Sequence, residues 1–459
     1  MNDTSEQVII EKLKNLKSFF ATHQTKDIGF RLQQLRTLRQ AIEANQKRIE
    51  KALWNDLHKS PEEAYLTEIS IVTGEIDNHV RHLKKWAKPR RVSSPLHLLP
   101  SSSKLIYEPL GVALIVAPWN YPFQLLINSL VGAISAGCCA LLKPSPDAPT
   151  TAHVIEEMIK ENFPAEYITI VQGGKETNTS LFAQRFDIIF FTGSPQLGKV
   201  VMKAAAEYLT PVVLELGGKS PCIVDEDANI DIAAKRIAWG KLINAGQTCI
   251  APDYLLAHAS VKDELLKKIA GNITEMYGDD QKQSRFYPRI VSDRAMQRLA
   301  PLMNQGTIHT GGVVDFDSKY ISPTIIDNVE PDFAIMQEEI FGPILPVMTF
   351  HHIDEAISYI NKNEKPLAFY YFGTNIKAKE VFSKTTSGGG CINDTLMHIT
   401  NHNLPFGGVG NSGMGKYHGL DSFLAFSNRR AIVSTPTWID LPLKYVPFRF
   451  FKLTKRIVG

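Results

Sequence analysis

Along residues 5–88 the apolar positions recur at helical spacing: Val8, Ile9, Leu13, Leu16, Phe19 and Phe20, then Leu32, Leu35, Leu38 and Ile42. Pro61 followed by Glu62 and Glu63 marks the start of another helix, since proline suits the first helical position and acids suit the first turn. Residues 88–95 and 100–103 have loop or extended composition, and Leu105-Ile-Tyr107 reads as a short strand. From Gly111 short apolar runs alternate with helical ones. Strands are predicted over 112–116, 139–142, 168–171, 188–191 and 212–214, with helices over 123–135, 148–161, 176–183 and 196–208. This alternation implies an α/β fold with a Rossmann-type parallel sheet covered on both faces, whose ligands bind beyond the strand carboxyl ends. A second alternating block begins near Pro221. Its strands are predicted over 223–224, 255–258, 344–349 and 367–372, and its helices over 231–242, 261–276, 293–304 and 353–360. After Ser387 glycine dominates, in Gly388-Gly-Gly390 and in residues 405–415, which implies ordered loops or backbone packed closely on something.

Residues 109–142 carry no charge and are numerous enough to span a bilayer. Pro118, Asn120 and Pro122 interrupt them, and Asn128, Ser129, Gly132 and Gly137 weaken them further. A buried strand, a loop, a buried helix and a second strand account for the stretch better than a membrane helix. With 459 residues, 44% of them hydrophobic and 21% charged, the chain has material for about three globular domains. A net charge of +3 and the lack of a Lys/Arg-rich block argue against nucleic acid as a partner. The N-terminus is polar and acidic, unlike a signal peptide. Five cysteines without a CxxC spacing argue against a cysteine zinc site, and no other metal-ligand cluster stands out. The odd, sparse count suits a reducing, cytoplasmic compartment. The adjacent His351 and His352, and His398 and His402 four apart, read as surface or packing residues.

Candidate chemistry centres on Asn244-Ala-Gly-Gln-Thr-Cys249-Ile-Ala-Pro. A cysteine in such a turn is reachable, and as a thiolate it is a nucleophile. Upstream, Glu215 interrupts the apolar run Val213-Leu-Glu-Leu-Gly217-Gly218-Lys; a carboxylate between leucines needs a partner or a task, such as base to a thiol or water. Taken alone, either residue could equally be a buried free thiol or a salt-bridged acid. Phe191-Thr-Gly193-Ser194-Pro-Gln-Leu-Gly198 ends a strand and opens a helix, where backbone N–H groups favour a phosphate. Its GxxxxG spacing is not the GxGxxG fingerprint, and an ordinary tight turn reads the same. Lys143, ending another strand, can reach a ribose or phosphate or merely be solvated. Asn120, between Pro118 and Pro122, is an oxyanion donor or an Asx-turn residue. Glu338 and Glu339 beside Phe341 suit a ribose and a flat ring, or form a solvated acidic turn.

In this order the motifs Pro118-Trp119-Asn120-Tyr-Pro122, Leu-Lys143-Pro-Ser, Phe-Thr-Gly193-Ser194, Leu-Glu215-Leu216-Gly217-Gly-Lys, Gly-Gln-Thr-Cys249 and Glu-Glu339-Ile-Phe341-Gly-Pro resemble the aldehyde dehydrogenase superfamily. The resemblance spans about residues 107–426, and Leu404-Pro-Phe-Gly-Gly-Val-Gly-Asn-Ser-Gly-Met-Gly-Lys-Tyr-His-Gly419 is similar to the class 3 (fatty and aromatic aldehyde) branch. It implies Cys249 as nucleophile, Glu215 as general base, and Asn120 with the Cys249 N–H as oxyanion donors. It implies NAD as cofactor, with NADP plausible, held by Trp119, Lys143, Gly193, Ser194, Gly198, Leu216, Gly217, Glu339 and Phe341. One departure is Pro146, where many members carry a glutamate after Lys-Pro-Ser.

The resemblance further implies a dinucleotide-binding domain (1–91 and 109–213), a catalytic thiol domain (214–400), and a small β oligomerisation arm with the C-terminal tail (92–108 and 401–459). The implied reaction oxidises an aldehyde, medium- or long-chain aliphatic or aromatic, through a hemithioacetal and a thioester to the acid. Two rivals remain: an acylating CoA- or phosphate-dependent relative, which Glu215 argues against, and a thiol hydrolase, which the phosphate turn argues against. A homodimer is expected. The tail from Leu441 is basic and aromatic, like an interfacial segment. Packing across a dimer is preferred over peripheral membrane contact, because Pro442 and Pro447 spoil a continuous helix.

Overall fold

The computed structural model describes residues 3–458. Its helical N-terminus comprises Glu6–Ala21, Ile28–Leu57 and Ser70–Trp86, with a short turn at Pro61–Ala64 running into a π-helical segment, Tyr65–Ile69. Ile9, Leu13, Leu16, Leu32, Leu35, Leu38 and Ile42 are buried, as the spacing predicts, whereas Val8 stays exposed. Asp27 and Ser60 start their helices by accepting the backbone N–H groups of Phe30 and Glu63.

Up to residue 216 the strands are β1 (Arg90–Val92), β2 (Ser102–Pro109), β3 (Val112–Val116), β4 (Cys139–Lys143), β5 (Ile168–Ile170), β6 (Ile188–Gly193) and β7 (Val212–Leu216). Beyond it come β8 (Pro221–Val224), β9 (Tyr254–His258), β10 (Thr307–Thr310), β11 (Val314–Asp315), β12 (Tyr320–Ile321), β13 (Thr324–Asp327), β14 (Ile344–Phe350), β15 (Ala368–Phe372), β16 (Gly389–Ile392), β17 (Gly413–Met414) and β18 (Ser427–Ser434).

A six-stranded sheet runs in the order β17-β7-β6-β3-β4-β5, parallel except for β17. Every residue of β3 and β4 is buried, and successive side chains point to opposite faces, so both faces of this sheet are covered. The chain passes from β3 outward through β4 and β5, then returns to the other side of β3 with β6 and β7. The order therefore reverses between β3 and β6, opening a crevice beyond their carboxyl ends. The charge-free stretch supplies β3, the wholly buried helix Gln124–Ala136 and β4. Among the described residues no helix is long and apolar enough to cross a membrane.

A seven-stranded sheet follows, in the order β10-β13-β14-β9-β8-β15-β16, and β1, β2 and β18 form a separate three-stranded arm. The helix predicted over 293–304 is α-helical only to Leu299. Pro301 lacks the N–H that continuation needs, and Ala300–Asn304 tightens into a 3-10 turn. In the glycine-rich segment Gly389–Ile392 is an edge strand, where loops or closely packed backbone are expected. A Cβ on Gly390 would lie 2.1 Å from the Phe369 carbonyl oxygen, so glycine permits that pairing. Of residues 401–459, β17 joins the six-stranded sheet beside β7, and β18 pairs with β2 in the arm.

Candidate active site

The loop after the helix Ile230–Leu242 turns sharply through three left-handed residues, Asn244 (φ 53°), Ala245 (φ 51°) and Gly246 (φ 74°), and so brings Cys249 to the crevice. Cys249 is partly exposed, while Cys138, Cys139 and Cys222 are buried. Its Sγ lies 3.8 Å from Glu215 Oε1. Glu215, near the carboxyl end of β7, is buried, and burial raises its carboxyl to about 7 against three hydrogen bonds that lower it. Tyr417 donates to its Oε2 at 2.5 Å and Thr192 does so at 3.3 Å. That leaves Oε1 facing the thiol. Burial, then the charges of Glu215 and Glu339, push the Cys249 thiol well above its usual range. A carboxylate thus takes the place of the cation or helix N-terminus that would lower a cysteine's pKa, and the thiol proton has an acceptor in Glu215.

Asn120 comes from the loop after β3. Its Nδ2 donates to the Gln247 carbonyl at 3.0 Å, leaving one amide N–H for another acceptor. Its own carbonyl accepts from Lys59 Nζ and Asn244 Nδ2, both at 2.8 Å. Lys59 and Glu68 form a fully buried ion pair at 2.6 Å, and Glu68 Oε2 also accepts the N–H groups of Phe123 and Gln124. The N-terminal helices therefore hold the Asn120 loop. Glu63 Oε1 accepts the Asn244 N–H at 2.8 Å, Tyr121 and Thr248 share a hydroxyl bond of 2.6 Å, and Gln247 Oε1 accepts the Val291 N–H. Six segments distant in sequence meet around one thiol.

The expected cofactor residues line the same sheet edge. Ser194 caps the helix Pro195–Glu207 by accepting the Leu197 N–H, and a Cβ on Gly198 would lie 2.7 Å from Leu216 Cδ2. Lys143 is buried, with Pro144 O accepting from its Nζ at 2.9 Å, and burial lowers it to about 8. Glu339 lies over the Gly217 backbone, where a Cβ would come 2.0 Å from Oε2. Burial, with Asp253 next, raises Glu339 to about 8. Phe341 adopts φ 52° and sets its ring edge-on to Trp119 at 5.4 Å. A helix N-terminus, a lysine and a carboxylate spread along one crevice fit a dinucleotide's pyrophosphate and riboses. His402 pairs with Glu75 at 2.8 Å, and His398 packs against Phe406 with its Nδ1 3.4 Å from Cys391 Sγ.

Lys59, Glu63, Glu68, Thr192 and Tyr417 escape the sequence reading. Tyr417 lies inside the glycine-rich motif but carries no signal of its own, and a lysine's complete burial has no local signature.

The family model for the aldehyde dehydrogenase family matches residues 3–432. The chain belongs to the aldehyde dehydrogenase family. It is 48% identical to 4,4'-diaponeurosporen-aldehyde dehydrogenase of Staphylococcus aureus, over 96% of this chain and 97% of that protein. It is 44% identical to the dimeric NADP-preferring aldehyde dehydrogenase of Rattus norvegicus, over 92% of this chain and 94% of that one. The solved structure described as the substrate bound state of Staphylococcus aureus AldH superposes with a TM-score of 0.96 at 46% identity, covering 100% of both chains. This aldehyde dehydrogenase oxidises aldehydes to carboxylic acids with NAD or NADP.

Removing Lys59 tests how the site is held. Lys59→Met leaves Glu68 buried without its partner, a loss of about 3–5 kcal/mol. A lower melting temperature is expected, with a larger loss of kcat than of cofactor affinity. An unchanged melting temperature would show that the pair does not anchor the Asn120 loop.

Proposed function

We propose that Cys249 is the nucleophile, Glu215 the general base and Asn120 an oxyanion donor. The observation that carries this is the partly exposed thiol 3.8 Å from a buried carboxylate whose pKa lies near 7. As Sγ attacks the aldehyde carbon, its proton passes to Glu215 and the carbonyl electron pair moves onto oxygen. The free amide N–H of Asn120 and the Cys249 N–H receive that oxyanion. A bound nicotinamide supplies the two-electron acceptor for the hydrogen on that carbon. Trp119, Lys143, Gly193, Ser194, Gly198, Leu216, Gly217, Glu339 and Phe341 hold the cofactor. Glu215 passes that proton to solvent and then takes one from water as the water attacks the Cys249 thioester; the acid leaves, and the departing thiolate recovers a proton from Glu215.

The substrate is a medium- or long-chain aliphatic or an aromatic aldehyde; the Staphylococcus aureus relative is named for 4,4'-diaponeurosporen-aldehyde. NAD serves, and NADP is accepted too. Residues 1–91 and 109–213 bind the dinucleotide, 214–400 carry the thiol, and 92–108 with 401–459 form the arm and tail, apart from β17 and Tyr417, which pack onto β7. The working form is a cytoplasmic homodimer. Five free thiols suit a reducing compartment, and the rat relative is named as dimeric. Trp438, Val446 and Phe451, exposed by 77%, 76% and 62%, need covering by a second copy.

The reaction is tested by reduced-nicotinamide absorbance with a panel of aldehydes. Cys249→Ala abolishes turnover. Glu215→Gln still forms the thioester, more slowly because the thiol proton must pass to water instead, releases acid more slowly still, and loses the acid limb of the pH profile. Since the base acts only as carboxylate, the wild-type rate rises with pH through about 7, the raised pKa of Glu215. Wild-type steady-state turnover in Glu215→Gln would refute the base.

Cofactor choice is read at Pro146, which can neither accept a bond from a ribose 2′-hydroxyl nor repel a 2′-phosphate. Wild type uses both cofactors, and Pro146→Glu lowers kcat/KM for NADP relative to NAD. Rejection of NADP by about a thousandfold in wild type, roughly 4 kcal/mol, would sink this reading. For assembly, truncation after Pro436 should shift the particle to a smaller mass in light scattering. An unchanged mass together with lost vesicle binding would point to a membrane role for the tail instead.

A further inference from the structure

Beyond Pro146, the adenosine end of the crevice holds an unexpected acid. The loop after β5 leaves the sheet at the same carboxyl edge as Lys143, because β4 and β5 pair in parallel with Leu142 opposite Ile170. The start of the chain is clasped onto that loop. Thr4 donates its N–H to Gln172 O at 3.0 Å and its hydroxyl to the same oxygen at 2.6 Å. Asp3 Oδ1 accepts the Gly174 N–H at 2.6 Å and the Thr177 hydroxyl at 2.9 Å, at the start of the helix Lys175–Phe182. A Cβ on Gly173 would come 2.6 Å from Asp3 Oδ1, so a glycine there leaves room for the carboxylate. Asp3 is thereby fixed on the strand end next to that of Lys143.

We propose that Asp3 is a specificity-determining residue for the cofactor, a fixed negative charge that disfavours the 2′-phosphate of NADP at the Lys143 end of the crevice. This rests on the reading of Lys143 as the adenosine-ribose ligand. The acids whose charges reach the Lys143 amine are Asp147 and Asp3. Asp147 sits exposed on the turn after Pro146, where its N–H meets Ser145 Oγ at 3.3 Å, and among the described residues its carboxylate has no hydrogen-bond donor. Asp3 is held by its bonds to Gly174 and Thr177, so its field is fixed before any ligand arrives. It opposes a 2′-phosphate, which carries nearly two charges, and leaves a 2′-hydroxyl almost unaffected. The chain thus keeps part of the discrimination that Pro146 forgoes, from a residue distant in sequence.

Asp3→Asn is the decisive variant, because the amide oxygen can keep both hydrogen bonds while the charge is lost. Binding of 2′,5′-ADP and of ADP to wild type, Asp3→Asn, Asp147→Asn and Lys143→Ala is measured by calorimetry, alongside kcat/KM for NADP and NAD. Asp3→Asn should raise the preference for the 2′-phosphorylated member of each pair roughly threefold to tenfold, the scale of an exposed charge acting on a doubly charged group. In wild type, raising salt should narrow the discrimination, and Asp3→Asn should remove most of that salt dependence. If both ratios keep their wild-type values in Asp3→Asn while Lys143→Ala or Asp147→Asn changes them, the assignment of Asp3 is overturned. If Lys143→Ala leaves both nucleotides binding as in wild type, the ribose placement fails, and the role of Asp3 with it.

Discussion

A carboxyl group out of water on an apolar strand is the constraint on which this site depends. Burial disfavours the carboxylate form of Glu215 and raises its pKa. Hydrogen bonds from Tyr417 and Thr192 to one oxygen oppose that, bringing the group to about 7. The arrangement has a thermodynamic consequence. An acid whose folded pKa exceeds its unfolded value binds more protons when folded, so stability falls as pH rises between 4.5 and about 7. Above that window the lost stability is roughly 3 kcal/mol for this one group, an order-of-magnitude figure. Keeping this carboxyl in a dry site is a standing destabilisation that the cores of both sheets must offset.

Holding Glu215 is of little use to the proposed chemistry unless the thiol and Asn120 keep register with it. The carbonyl of Gln247 receives Asn120 Nδ2, and the carbonyl of Asn120 receives Lys59 and Asn244. Each loop therefore satisfies polar backbone atoms of the other. Neither loop can move alone without breaking the two buried hydrogen bonds that join them, from Asn120 Nδ2 to Gln247 O and from Asn244 Nδ2 to Asn120 O. The buried Lys59–Glu68 pair extends this coupling into the N-terminal helices. A buried ion pair is weak evidence for stability, and its value here is geometric: Glu68 also binds two N–H groups at the start of the helix Gln124–Ala136.

Five strands of the six-stranded sheet, four of the seven-stranded one and most helices were legible because burial on both faces writes itself as unbroken apolar runs, while β10, β13, β17 and β18 were not. Residues 112–116 and 139–142 are clear examples. Cys249, Glu215 and the turn from Gly193 to Gly198 stood out because each combines an unusual residue with glycine or proline. What holds them did not. Tyr417 reaches Glu215 across 202 positions of sequence, and Lys59 reaches Asn120 across 61. Such contacts are made by tertiary packing, and a tyrosine or lysine bound for the interior has the same neighbours in sequence as one bound for the surface. β16 was hidden for a different reason: Gly389 and Gly390 lack strand propensity, and only the approach of Phe369 explains them.

The site also stores backbone strain, and where it does so links the two halves of the proposed chemistry. Asn244, Ala245 and Phe341 are non-glycine residues in the left-handed region, at φ 53°, 51° and 52°. Each costs of order 1–3 kcal/mol unless its surroundings enforce it. Asn244 is enforced by Glu63, by the Asn120 carbonyl and by Gln247 O. Phe341 is bracketed by Ile340, whose N–H is held by Asp253 at 2.9 Å, and by Gly342. The two strained turns touch, since a Cβ on Gly246 would come 2.2 Å from the Gly342 carbonyl oxygen. The loop bearing Glu339 and Phe341 is thus packed backbone against backbone with the loop bearing Cys249. A change of conformation at one turn must be accommodated by the other. In an enzyme whose thiol and cofactor must meet at one carbon, that contact gives the fold a direct mechanical route between them.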